Sequence, residues 1–189
     1  MTKIVLLPLA EGFEETELIS VADVVKRASD FYDIKVILAS LNDELLVSGA
    51  HGIKIQADCS LKEVDIDSLS AIALAGGMQG MNNLKNDERI INIIQKLYNL
   101  NKLVSAICAS AIVLDKAGVI NGEFSCYPGC EKGLNGTRID EPVFVNKNII
   151  TAAGPATAML FGLEIVRYLS NEEVYKKLYD ALLIRFIKN

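Results

Sequence analysis

Five short apolar runs, separated by helix-patterned stretches, constrain this chain more than any other feature: residues 4–9 (IVLLPL), 34–40 (IKVILAS), 70–75 (SAIALA), 102–107 (KLVSAI) and 148–152 (NIITA). Each has the length of a strand and is apolar on consecutive positions, the pattern of a strand buried on both faces. Between them, residues 14–27 repeat Leu18, Val21 and Val25 at helical spacing, and the acids of the first turn suit the helix dipole. Residues 87–97 (DERIINIIQKL) read as an amphipathic helix, and 109–117 as a helix stopped by Gly118. A further helix runs from a Gly154-Pro155 turn through Tyr168, and residues 171–183 form the last one. A loop or hairpin occupies 43–52, with Gly49 and Gly52 as turn residues, before a brief strand at 53–56. Strand–helix alternation of this kind predicts an α/β fold, a doubly wound, mostly parallel sheet flanked by helices in a single domain. Ligands of such sheets bind beyond the carboxyl ends of the strands.

Composition removes several function classes. With 189 residues and 51% hydrophobic content, one well-buried core is expected, and no linker or low-complexity segment divides it. A net charge of -5 with scattered Lys and Arg leaves no basic footprint for nucleic acid. No apolar run approaches the roughly 18 residues a membrane span needs. The first run is short and meets Glu11, Glu14 and Glu15 at once, so no leader is expected there. Four widely spaced cysteines do not form a disulfide scaffold, which points to a reducing cytoplasm. Zinc is disfavoured because His51 is the only histidine. The glycine-rich stretch 76–83 (GGMQGMNN) lacks the Lys-Ser/Thr of a phosphate loop and reads as a turn, while Cys59, following Asp58 in an expected loop, reads as incidental.

Four stretches follow predicted strands closely: the Glu cluster after the first, Gly76-Gly77, Cys108, and Gly154-Pro155. In a parallel sheet with neighbouring strands they converge. Cys108 lies within SAICAS with Ala106 and Ser110 two positions away on each side, as a nucleophile elbow requires, although the two glycines of that motif are absent. A thiol there faces a helix N-terminus, which favours the thiolate. A free cysteine is equally at home as a small buried hydrophobe. Glu14 or Glu17 falls near the core-facing stripe of the first helix, with Glu15 pointing away, and a carboxyl buried there would have a raised pKa and could donate to a thiolate.

Taken together, EGFEETE (11–17), LAGGMQG (74–80), AICAS (106–110), YPGCE (127–131) and TAAGPATA (151–158) resemble the ThiJ/PfpI superfamily, nearest its parkinsonism-associated protein deglycase branch. The resemblance implies a flavodoxin-like homodimer in which Cys108 is the nucleophile and Glu17 the buried acid on its sulfur. It further implies that Gly76, Gly77 and the Ala109 N–H line an oxyanion pocket closed by Gly154 and Pro155. Phe13 and Tyr127 are candidate walls by their aromatic character, although core packing is the commoner fate of such residues. Two departures stand out. Tyr127 occupies a position where relatives often carry histidine, and His51 replaces an arginine beside the pocket, one that could reach in from the dimer partner. A Cys-His-acid peptidase is therefore not expected. The implied chemistry is glutathione-independent conversion of a small dicarbonyl, methylglyoxal or glyoxal, or removal of its early protein adducts, with no metal or organic cofactor. The alternative is a redox-sensing stress protein or chaperone whose Cys108 is oxidised to sulfinic acid, with Cys126 and Cys130 as resolving thiols if they lie close. No residue supports a thiazole-phosphate site.

Overall fold

The structure, a computed structural model, describes residues 1–187. Its strands are β1 (Lys3–Leu9), β2 (Ile34–Ser40), β3 (Leu46–Ser48), β4 (Lys54–Gln56), β5 (Cys59–Ser60), β6 (Ala71–Leu74), β7 (Leu103–Ile107), β8 (Glu123–Phe124), β9 (Thr137–Arg138), β10 (Val143–Asn146) and β11 (Ile149–Ala152). Its α-helices are α1 (Glu15–Ala28), α2 (Met78–Asn86), α3 (Glu88–Asn99), α4 (Ala111–Lys116), α5 (Ala158–Leu169) and α6 (Glu172–Ala181). Seven strands form one sheet in the order β10-β11-β7-β6-β1-β2-β5. All pairs are parallel except β10 with β11, an antiparallel edge. From β1 the chain steps one way to β2 and the other way to β6, β7 and β11, so the topological switch point lies between β1 and β6.

The period of two along each strand divides the core into two layers. Val5, Leu7 and Leu9 of β1, with Ala71 and Ala73 of β6, pack under α1, α5 and α6. Leu6, Ile72, Leu74, Val104 and Ala106 face α2, α3 and α4. Strands buried on both faces read as continuous apolar runs, which is why they are visible in the sequence. The buried Ser105 hydroxyl is satisfied by donating to the Ile72 carbonyl at 2.9 Å.

Elsewhere the structure departs from what the sequence suggests. Gly76-Gly77 is a turn, but residues from Met78 onward are helical, not a continued turn. That helix buries only Gly80, Met81 and Leu84. Its Asn- and Gly-rich composition has low helix propensity, so tertiary contacts hold it: Gly80 donates its N–H to the Gly12 carbonyl at 3.0 Å. The helix expected at 109–117 is a 3-10 turn, Cys108–Ser110, followed by the short α4. Cys59, expected in a loop, begins the edge strand β5. The hairpin β10–β11 was not legible, since its partly exposed β10 lacks a clear apolar pattern; Lys147 closes it at φ 55°.

Candidate active site at the elbow cysteine

Sheet register brings the site together. Leu74 of β6 lies beside Ala106 of β7, and Ile107 beside Ala152 of β11. Continuing each strand therefore sets Gly76 on one side of Cys108 and Gly154 on the other. Cys108 adopts φ 63°, a left-handed conformation costing an ordinary side chain about 1–2 kcal/mol. The surroundings hold it there: the Ser110 hydroxyl donates to the Ala75 carbonyl at 2.6 Å, and the Tyr127 N–H to the Cys108 carbonyl at 3.4 Å. The thiol is half-buried and packs against both apolar layers. Such a turn pushes its side chain out past the strand ends, as expected of an elbow.

Helix α1 supplies the acid. Glu14 caps the helix, its Oε2 accepting from the Glu17 N–H at 2.7 Å. Glu17, fully buried, turns toward the sheet, and its Oε2 accepts from the Gly76 N–H at 2.6 Å. A Cβ built on Gly76 would lie 2.7 Å from Glu17 Oε2, 2.8 Å from Cys108 Cβ and 3.1 Å from its Sγ, so only glycine lets the carboxyl, the turn and the sulfur meet. Glu17 Oε1 has no hydrogen-bond partner among the described residues. Burial pushes the Glu17 carboxyl up to about 7, against the pull of the Gly76 amide and Cys108.

Two expectations are corrected here. The Gly76 N–H is engaged by Glu17, which leaves the Ala109 N–H as the amide acting on the sulfur. Gly77 sits at φ 85°, and a Cβ there would collide with the Gly12 carbonyl, so both the backbone and the space require glycine. The Cys108 thiol is also pushed up rather than down, first by burial and then by the Glu17 charge, with the Ala109 N–H as the opposing influence. A six-residue α4 entered through a 3-10 turn offers little dipole to offset burial. Protonating Glu17 removes its repulsion, so the pair accommodates one negative charge and one proton.

Glu15 does not point away from the protein. It is 3% exposed and accepts from the His51 N–H at 2.6 Å and the Ile53 N–H at 3.3 Å, while its Oε2 lies 2.9 Å from His51 Nδ1. The bridge between Phe13 and Gly49 draws the β3–β4 hairpin against the start of α1 and creates this environment, which helical spacing alone cannot reveal. Burial raises the Glu15 carboxyl, but the His51 ring and amides outweigh it and hold it below its usual value. The bond to Glu15, then its charge, raises His51. His51 is thus oriented by Glu15 through its Nδ1, at the mouth of the β3–β4 hairpin. Glu14, Glu15 and His51 bring ligand-type atoms within 4.8 Å of one another, the grouping among the described residues with the donors for a cation.

The remaining expected wall residues divide. Tyr127 is half-exposed, and a Cβ on Gly154 would meet its ring at 3.3 Å, so the ring lies over the Gly154 turn. Pro155 opens a 3-10 turn, Pro155–Thr157, fixed by the Thr157 hydroxyl donating to the Gly154 carbonyl at 2.8 Å. Phe13 is buried in the core layer, the commoner fate of such a ring. Cys130 ends a turn tied to the elbow, since its N–H donates to the Tyr127 carbonyl and the Tyr127 N–H to the Cys108 carbonyl. Only the YPGCE resemblance hinted at that.

A doubly wound sheet with a left-handed cysteine beyond its strand ends, flanked by a buried glutamate, defines a class of elbow-thiol α/β proteins. Residues 3–168 match the model of the DJ-1/PfpI family, and the chain belongs to that family. It is 34% identical to Protein dj-1beta of Drosophila melanogaster over 98% of this chain and all of the relative. The crystal structure of Drosophila DJ-1beta superposes with a TM-score of 0.91, covering 97% of this chain and 98% of that one. It is also 34% identical to Protein DJ-1 homolog B of Arabidopsis thaliana over 95% of this chain, which spans only 41% of that longer protein. A Schizosaccharomyces pombe relative, 28% identical over 96% of this chain and 98% of its own length, carries the name glutathione-independent glyoxalase DJ-1. Among the described residues no helix is long and apolar enough to cross a membrane.

Proposed function

We propose that this protein is a cysteine-dependent, glutathione-independent glyoxalase acting on methylglyoxal or glyoxal, with early protein adducts of these dicarbonyls as related substrates. The observation that carries the reading is the buried Glu17 carboxyl, raised to about 7 by burial and in contact with the Cys108 side chain, with its Oε1 otherwise unpartnered among the described residues. A carboxyl poised near neutral pH can take a proton and return it. Glu17 accepts the thiol proton as Cys108 Sγ attacks the aldehyde carbon, giving a hemithioacetal. After handing that proton to the new hydroxyl, Glu17 removes the C1 hydrogen as a proton and delivers one to C2. The intermediate enediol thereby becomes a thioester of a 2-hydroxy acid. Water cleaves the thioester, releasing lactate from methylglyoxal and restoring the thiol. The S. pombe name supports this reading. No step needs a histidine on the sulfur or a cofactor, whereas peptide hydrolysis would need a base where Tyr127 stands.

Peroxide sensing is favoured by the same free Glu17 Oε1, which can donate a hydrogen bond to a sulfinate oxygen on Cys108. Exposed Ile19, Leu46 and Ile53 on α1 and the adjoining hairpin suit a homodimer face, and a reducing cytoplasm suits four free thiols. The deciding measurement is methylglyoxal consumption with lactate formation, without glutathione, for wild type, Cys108→Ala and Glu17→Gln. Loss in both variants supports the scheme. A wild type with reduced Cys108 and no turnover refutes it and leaves peroxide sensing.

A further inference from the structure

We propose that Cys130 is a resolving thiol for Cys108, so that peroxide converts the elbow into a reversible intramolecular disulfide. Cys130 ends a turn that is hydrogen-bonded to the elbow itself: its N–H donates to the Tyr127 carbonyl at 3.0 Å, and the Tyr127 N–H to the Cys108 carbonyl at 3.4 Å. Both thiols are partly buried and pack against the same apolar layer. The tip of the turn is unobstructed. Gly129 sits at φ 95°, and a Cβ there would meet nothing within 4 Å. Cys126 is the competing thiol, but it is fully buried, donates to the Tyr127 carbonyl at 3.5 Å and is pushed up to about 11 by burial.

The chemistry balances with a peroxide as the two-electron oxidant. The Cys108 sulfur attacks the terminal peroxide oxygen, the O–O bond breaks, and Cys108 becomes a sulfenic acid as the peroxide leaves reduced, as water or an alcohol. The Cys130 sulfur then attacks Cys108 Sγ. The S–S bond forms, the S–O bond breaks, and hydroxide departs with the Cys130 proton as water. A dithiol resets the pair by exchange. This closure precedes sulfinic acid and protects the thiol from irreversible oxidation. It does not depend on the glyoxalase reading, since its readout needs no turnover.

The test is a trypsin map of the full chain after a few equivalents of hydrogen peroxide, since carrying a thiol to sulfinic acid consumes two. Cleavage after Lys102, Lys116 and Lys132 places Cys108 in peptide 103–116 and both Cys126 and Cys130 in 117–132. The expected result is a cross-link between these peptides, about 2 Da lighter than their sum and reversed by dithiothreitol. Cys126→Ser should retain it. Cys130→Ser should lose it, with peptide 103–116 instead gaining about 32 Da as a sulfinic acid. A wild-type map with sulfinic Cys108 and no cross-link, one with no oxidation at Cys108, or a cross-link persisting in Cys130→Ser overturns the proposal. Fragment ions identify the cross-linked cysteine in the wild type directly, so the wild-type map decides the matter even if a variant fails to fold.

Discussion

Replacing Glu17 by Gln should make the protein more stable at alkaline pH, relative to wild type, than at acid pH. A carboxyl whose midpoint moves from 4.5 unfolded to about 7 folded is held preferentially in its protonated form. Below the unfolded value both states are protonated, and the native state bears no penalty. As pH rises through 4.5 the unfolded chain ionises first, and stability falls until the folded carboxyl also ionises near 7. At about 1.4 kcal/mol per pH unit this displacement corresponds to roughly 3 kcal/mol. Gln can still accept from the Gly76 N–H and cannot ionise. Urea unfolding at intervals from pH 4 to 8.5 gives the difference, wild type minus variant. That difference should decline by roughly 3 kcal/mol and level off above pH 7 to 8. Parallel curves would refute the assignment of a raised pKa to Glu17, and with it the idea of a poised proton carrier.

Other substitutions probe the backbone and the hairpin. Cys108→Gly should be about 1 kcal/mol more stable than Cys108→Ala in chemical denaturation, because glycine accepts the left-handed φ of 63° that alanine resists. Gly76→Ala should cost about 1–3 kcal/mol in the same assay and slow iodoacetamide labelling of Cys108, since the new methyl intrudes between the thiol and Glu17. His51, the chain's single histidine, should titrate above 6.5 by NMR and return toward that value in Glu15→Gln. Because its folded pKa is raised, its stabilising contribution is complete below pH 6.5 and disappears as pH rises through the folded value.

The central strands were legible because burial on both faces leaves uninterrupted apolar runs, and β1, β2, β6, β7 and β11 all lie where those runs fall. Their order was not legible, since right-handed connections permit more than one doubly wound arrangement. Helix α2 was hidden because Met81 and Leu84 alone make too faint a stripe. In the site, Cys108 and Glu17 were accessible through spacing and resemblance together. Glu15 was misjudged because its partners, His51 and the Ile53 amide, come from a hairpin some 36 to 38 residues away. The engagement of the Gly76 amide was equally invisible, as it depends on a carboxylate 59 positions earlier in the chain.

Cys108 packs against the apolar layers on both sides of the sheet. A group added to its sulfur must find volume at the junction of two dense packings, where even a methyl is felt. Two otherwise separate cores are thereby wired to one atom. The melting temperature of this protein should consequently act as a gauge of that atom's covalent state, with free thiol, thioester and oxidised sulfur each registering a value of its own.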